Sequence, residues 1–135
     1  MPHEINNAGY ETEERMRKWF RGQKSHLDFV DFETKNVLWE VKSCNLFNRY
    51  YNSNHCRKSK GKIPHHDVNS FHLGRFFINL DNHFVLKSKA DAIGKVAKYI
   101  FVVKCGRQML WRVLNWELVP QKSTVRIKDV FGVSK

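Results

Sequence analysis

At 135 residues with 41% apolar side chains and no low-complexity tract, the chain is long enough to bury its own core, which excludes wholesale disorder. Its three cysteines, Cys44, Cys56 and Cys105, have no paired spacing; that excludes a disulfide framework and fits a reducing compartment. A formal charge of +11 points to a polyanionic partner. The charge is also unevenly divided. Residues 1–42 hold eight acids and seven bases, residues 43–80 one acid and six bases, and residues 81–135 four acids and eleven bases. The acids gather in the first third, and the rest of the chain carries the positive excess that binds nucleic acid through counterion release. The polar start Met-Pro-His-Glu carries no secretory leader, and the longest apolar run, 99–103, falls far short of the ~20 residues that span a bilayer. The expectation is a soluble, cytoplasmic protein without a membrane partner.

In chain order, Asn6 or Asn7 caps a first helix predicted over about 8–23, in which Gly9, Glu13, Met16 and Phe20 recur at helical spacing. Glu11, Glu13 and Glu14 lie in its first turns, where the helix dipole favours negative charge, and Gly22 is the stop. Two strands, 27–32 and 37–43, follow as a β-hairpin around Glu33-Thr34-Lys35-Asn36. Residues 45–74 have no period and many turn formers, and read as a long loop or irregular insertion. A strand at 75–79 leads to a helix from about 81 to 93, capped by Asp81 or Asn79 and stopped by Gly94. Then come a central strand at 98–104, a turn at Cys105-Gly106-Arg107, a strand at 109–114 and an edge strand at 124–128. This order predicts an α/β sandwich, a mixed central sheet with helices packed on it, in a single domain over 1–135.

Chemistry concentrates in the hairpin. Glu40 and Lys42 are two residues apart on one strand, so both side chains leave the same face, while Val37, Trp39 and Val41 point the other way. If the hairpin register brings Asp28 to that face, two carboxylates and an ammonium converge. Adjacent carboxylates repel unless a cation joins them, and an all-oxygen pair suits Mg²⁺, with the Val41 carbonyl as a further ligand. Asp28, Glu40 and Val41 are thus the expected metal ligands, and Lys42 positions or deprotonates the attacking water. Glu13 on the first helix is a supporting acid, favoured over Glu14 because it shares the Met16 and Phe20 face. The competing structural reading is an exposed cross-strand charge pattern worth a few tenths of a kcal/mol.

Asp28, then Glu40-Val41-Lys42 ending an apolar strand, behind an acidic helix, resembles the PD-(D/E)xK nuclease superfamily. In layout the chain is similar to archaeal Holliday junction resolvases and small restriction-type endonucleases. The resemblance implies a restriction-endonuclease-like fold, a DNA substrate, Mg²⁺ or Mn²⁺ as cofactor and a homodimer. It assigns Asp28 and Glu40 to metal, Lys42 to the water and Glu13 or Glu14 to a supporting place. The chain departs from that pattern in Leu27, which stands where the motif has proline, and in the insertion at 45–74, longer than a resolvase carries.

Within the insertion, Arg49, Tyr50, Arg57, Lys58, Lys60 and Lys62 interleave aromatics with positive charge and are the expected DNA contacts. Cys44, His55, Cys56, His65, His66 and His72 lack the short paired spacing of a zinc tetrahedron and read as loop residues. His83 reads as a partly buried helix residue, and Trp111 and Trp116 as core or interface.

Overall fold

The structure, a computed structural model, describes residues 4–46 and 73–132, with side chains from Gly9 onward. Helix α1 spans Glu4–Trp19, earlier at both ends than its predicted span. Met16 is completely buried, and Phe20 packs beside it against the same core. The helix stops where Arg21 turns to a φ of 56° and the Gly22 N–H returns to the Arg17 carbonyl at 2.8 Å.

Strand β1 is short, Phe32–Thr34, and β2 is long, Val37–Asn45. They form an antiparallel hairpin with Phe32 opposite Trp39 and Thr34 opposite Val37, so the connecting loop is only Lys35-Asn36. Strand β3 (Arg75–Phe77) precedes helix α2 (Leu80–Ala92). Of the two predicted caps the fold uses Asn79, whose side chain accepts the Asn82 N–H at 3.1 Å. Gly94 then takes a φ of 71°, the left-handed conformation that ends helices. Strands β4 (Val96–Cys105) and β5 (Gln108–Asn115) follow, then a 3-10 turn at Trp116–Leu118. Strand β6 (Thr124–Arg126) and the short helix α3 (Ile127–Phe131) close the described chain.

The central sheet has the order β1-β2-β4-β5; β2 and β4 pair in parallel and the other neighbours antiparallel. It is the mixed sheet flanked by helices that the element order predicts. Strand β6 lies elsewhere, paired with β3 in a separate two-stranded sheet. A core on one face gathers Leu38, Tyr99, Phe101 and Val103 with Leu86 of α2 and Val130 of α3. A second core on the opposite face joins Met16 to Phe32, Trp39, Val41, Ile100 and Val102. Because helices cover both faces, Tyr99–Val103 is buried without alternation. For the same reason the hairpin does not have one buried face, and Leu38 is as enclosed as Trp39. No helix among the described residues is long and apolar enough to cross a membrane.

Candidate active site

Glu40 and Lys42 leave β2 on the Leu38 side of the sheet, with Tyr99 and Phe101 as their partners on β4. The acid that meets them is Asp31, immediately before β1. Its N–H donates to the Trp39 carbonyl at 3.0 Å, and its Oδ2 accepts the Val41 N–H at 2.6 Å. Asp31 is therefore held by both residues that flank Glu40. The strand ladder stops at Phe32, and the Asp31 carboxylate occupies the edge of β2 that a longer β1 would have covered. From that edge it lies within hydrogen-bonding reach of Glu40 and also of Glu13, which comes from α1.

Asp28 is not part of this cluster, and its expected place as a ligand is corrected. The expectation assumed a strand running from residue 27 around a four-residue turn. With a two-residue loop, the acid beside Glu40 is Asp31, and the chain leaves the ladder before Asp28. Phe29 takes a φ of 65°, the Leu27 N–H donates to Ser25 Oγ at 3.0 Å, and Asp28 is exposed. The Asp28 backbone carbonyl accepts from Lys89 Nζ at 2.6 Å.

The choice between Glu13 and Glu14 also has a geometric answer. Glu14 is paired with Arg17 at 2.6 Å and accepts from the Tyr10 hydroxyl at 3.1 Å. Those bonds, the Arg17 one first, hold its carboxyl below the usual range. Glu13 instead faces Asp31, and its pKa is pushed up to about 7, first by burial and then by the Asp31 charge and hydrogen bond. Burial, followed by the contact with Asp31, raises Glu40 well above the ordinary glutamate range. The Lys42 ammonium opposes the rise in both glutamates, so it sits close enough to act on the whole group. Carboxyl groups that hydrogen-bond one another must share protons, and a cation bound among them would replace those protons.

The donor set fits a hard cation. Asp31, Glu40 and Glu13 offer only oxygen. Within a strand the N–H and C=O of one residue point to the same side, so the Val41 carbonyl faces the open edge along with its N–H. As they stand, however, no group of three His, Cys, Asp or Glu side chains among the described residues is arranged to hold a metal ion. A cation at this edge would therefore rest on two carboxylates, a carbonyl and water, the sparse ligation typical of Mg²⁺.

Behind the site, Tyr99 and His83 form a buried pair, Tyr99 hydroxyl to His83 Nδ1 at 2.8 Å. His83 stacks on Trp116 with centroids 4.3 Å apart, and its backbone carbonyl accepts the Trp116 Nε1–H at 2.8 Å. It is fully rather than partly buried, and burial lowers its pKa. Burial, then the charges of Glu40 and Asp31, raise the Tyr99 phenol and keep it protonated.

The predicted DNA contacts Arg49, Tyr50, Arg57, Lys58, Lys60 and Lys62 lie outside the described residues, as do His55, Cys56, His65, His66 and His72. Cys44 is a free, buried thiol, pushed up to about 12 by burial. Trp111, nearly half exposed, sits on β5 with its ring 5.4 Å from that of Phe20. Comparison with protein-family models, curated proteins and solved structures finds no match.

Proposed function

We propose that the chain is a metal-dependent endonuclease that hydrolyses DNA phosphodiester bonds, with Asp31, Glu40 and the Val41 carbonyl as the seat of Mg²⁺ or Mn²⁺. The observation that carries this reading is the anchoring of Asp31 on both sides of Glu40, with Glu13 and Lys42 acting on the same group. A purely structural surface gains nothing from three clustered carboxyls, two of them, Glu13 and Glu40, with their ionisation suppressed. A positive chain that approaches a polyanion has a use for them.

A bound divalent ion supplies Lewis-acid polarisation of the phosphoryl oxygen and a water of lowered pKa. Lys42 orients the attacking water and offsets charge that develops on the phosphorus oxygens. Glu13 steadies the cluster from the helix side. Arg15 and Arg107, which line a cleft of about 270 Å³ beside Glu11 and Thr12 of α1, supply positive charge for the backbone. Cutting both strands of a duplex or a junction needs two such sites, so the proposed active species is a C₂ homodimer. The fold would then be a restriction-endonuclease-like version of the mixed α/β sandwich, in keeping with the resemblance to PD-(D/E)xK nucleases.

A second reading, a nucleic-acid-binding module without chemistry, is favoured by the absence of a ready three-ligand metal group among the described residues. One assay separates the two. Four-way junction, flap, single-stranded and linear duplex DNA are incubated with the protein in Mg²⁺, Mn²⁺ or EDTA, beside Lys42→Ala. The nuclease reading expects metal-dependent cutting that Lys42→Ala abolishes while binding persists. Wild-type protein that binds every DNA and cuts none supports the binding module.

A further inference from the structure

A second polar cavity opens at the hairpin end of the sheet. It has a volume of about 440 Å³, and its lining includes the charged Arg21, Lys24, Glu33, Lys35 and Lys95 beside the His26 imidazole. The single carboxylate there is already answered. Glu33 accepts from Ser25 Oγ at 2.6 Å and from Lys95 Nζ at 2.9 Å, bonds that hold it below the usual carboxylate range. Lys24 lies 3.7 Å from Glu14, but that carboxylate is held more closely by Arg17 at 2.6 Å. Arg21 and Lys35 are exposed and form no ion pair within the described residues. The cavity is thus a concave surface with unanswered positive charge and neutral donors, which is the chemistry of a phosphate seat.

Its position gives it a purpose. The lining residue Thr34 pairs with Val37, three residues before Glu40 on β2. At about 3.3 Å per residue, the cavity lies on the order of 10 Å along the sheet edge from the carboxylates. That is the scale of the distance between near-neighbour phosphates on one strand, whose off-axis positions set them further apart than the axial rise of about 3.4 Å. Arg21 also occupies a left-handed φ of 56° at the helix end, where glycine is the usual residue. Glycine would relieve that strain but remove the guanidinium from the cavity.

We infer that this cavity seats a second phosphate of the nucleic-acid strand whose scissile phosphate lies at Asp31 and Glu40. The inference rests on the nuclease reading for the identity of the ligand. It adds the direction of the strand, along the β1 edge from the carboxylates toward the Lys35 turn.

The test uses the full chain and Arg21→Gln/Lys35→Gln, which removes the charge and leaves a polar side chain at two exposed positions. Affinity for a labelled duplex of roughly 12 base pairs is measured in EDTA across a salt series, and binding of inorganic phosphate is measured beside it. The double variant is expected to bind the duplex about tenfold more weakly at low salt. Its log–log salt slope should be shallower by about 0.9, the loss of one neutralised phosphate. An unaltered slope and affinity overturn the inference. Loss of phosphate binding with duplex affinity intact overturns it too, because it describes a small-anion pocket. Binding is read without cleavage, so the two claims fail separately. A shallower slope in a protein that cuts nothing keeps the second seat and removes the nuclease. An unaltered slope in a protein that cuts does the reverse.

Discussion

Asp31 Oδ2 accepts the backbone N–H of Val41 at 2.6 Å, and through that bond a side chain finishes the edge that strand β1 leaves open. A carboxylate tied to backbone is placed more exactly than one on a free rotamer. The tie matters because Glu40 and Glu13 both reach for the same group. The crowding of these three acids and the accuracy with which Asp31 is held have several measurable consequences.

The first concerns pH. The Glu13 carboxyl, raised to about 7 from an ordinary 4.5, keeps its proton in the folded protein after the unfolded chain has lost it. Its contribution to stability is complete below the unfolded value and disappears as pH rises through about 7. Solvent still reaches the side chain, which reduces the effect to the order of 1 kcal/mol. In metal-free buffer between about pH 5 and pH 8, the wild-type Tm should fall more than that of Glu13→Gln, by roughly 3 °C. Mg²⁺ should raise the wild-type Tm at the upper pH and not at the lower one, because it binds only the ionised carboxylates. A Tm difference that does not change with pH contradicts this account of Glu13.

The second concerns the packing that holds Asp31 in place. A Cβ added at Gly22 would lie 2.3 Å from Phe32 Cδ2 and 2.8 Å from its Cε2. Phe32 has no exposed surface and stacks on Trp39 at 5.8 Å, so its ring has little room to yield. Gly22→Ala should lower stability by about 1–3 kcal/mol in urea unfolding. It should also slow cleavage per folded molecule, because Phe32 is the residue after Asp31. A urea midpoint equal to wild type means that the α1 end and β1 are packed more loosely than described.

The third concerns the support behind Glu40. In Tyr99→Phe the buried His83 loses the hydroxyl 2.8 Å from Nδ1, and its Nε2 has no hydrogen-bond partner among the described residues to begin with. The substitution should cost about 1–3 kcal/mol by urea unfolding, and His83→Phe on top of it should recover part of that loss. If the two changes add as independent losses, the pair is not coupled.

Much of this architecture is legible in the residues. Helix α2 falls within a residue of its predicted limits, because Asn79 caps its start and Gly94, just past its last apolar residue, ends it. Strand β4 stands out as an unbroken apolar run, which is how a strand covered on both faces must read. That Glu40 and Lys42 share one face follows from their two-residue spacing within an apolar strand. Asp31 is missed for a different reason. Acids at 28 and 31 both precede the hairpin, and only the length of the turn decides which one meets Glu40. A one-residue change in register exchanges the faces of every side chain, and Lys35-Asn36 gives no signal strong enough to fix the turn at two residues. The pairing of β6 with β3 rather than with the main sheet is equally hidden, since edge strands carry no label for their partner.

The central claim is that Asp31 rather than Asp28 joins Glu40 in metal-dependent cleavage of DNA. It is tested most directly by single-turnover cleavage with Asp31→Asn and Asp28→Asn in Mg²⁺, on whichever DNA the wild type cuts fastest. Asp31→Asn should slow cleavage by about 100-fold or more, with duplex affinity unchanged, and Asp28→Asn should remain within roughly twofold of wild type. Loss of activity in Asp28→Asn with Asp31→Asn still active, or no metal-dependent cleavage by the wild type at all, would contradict it.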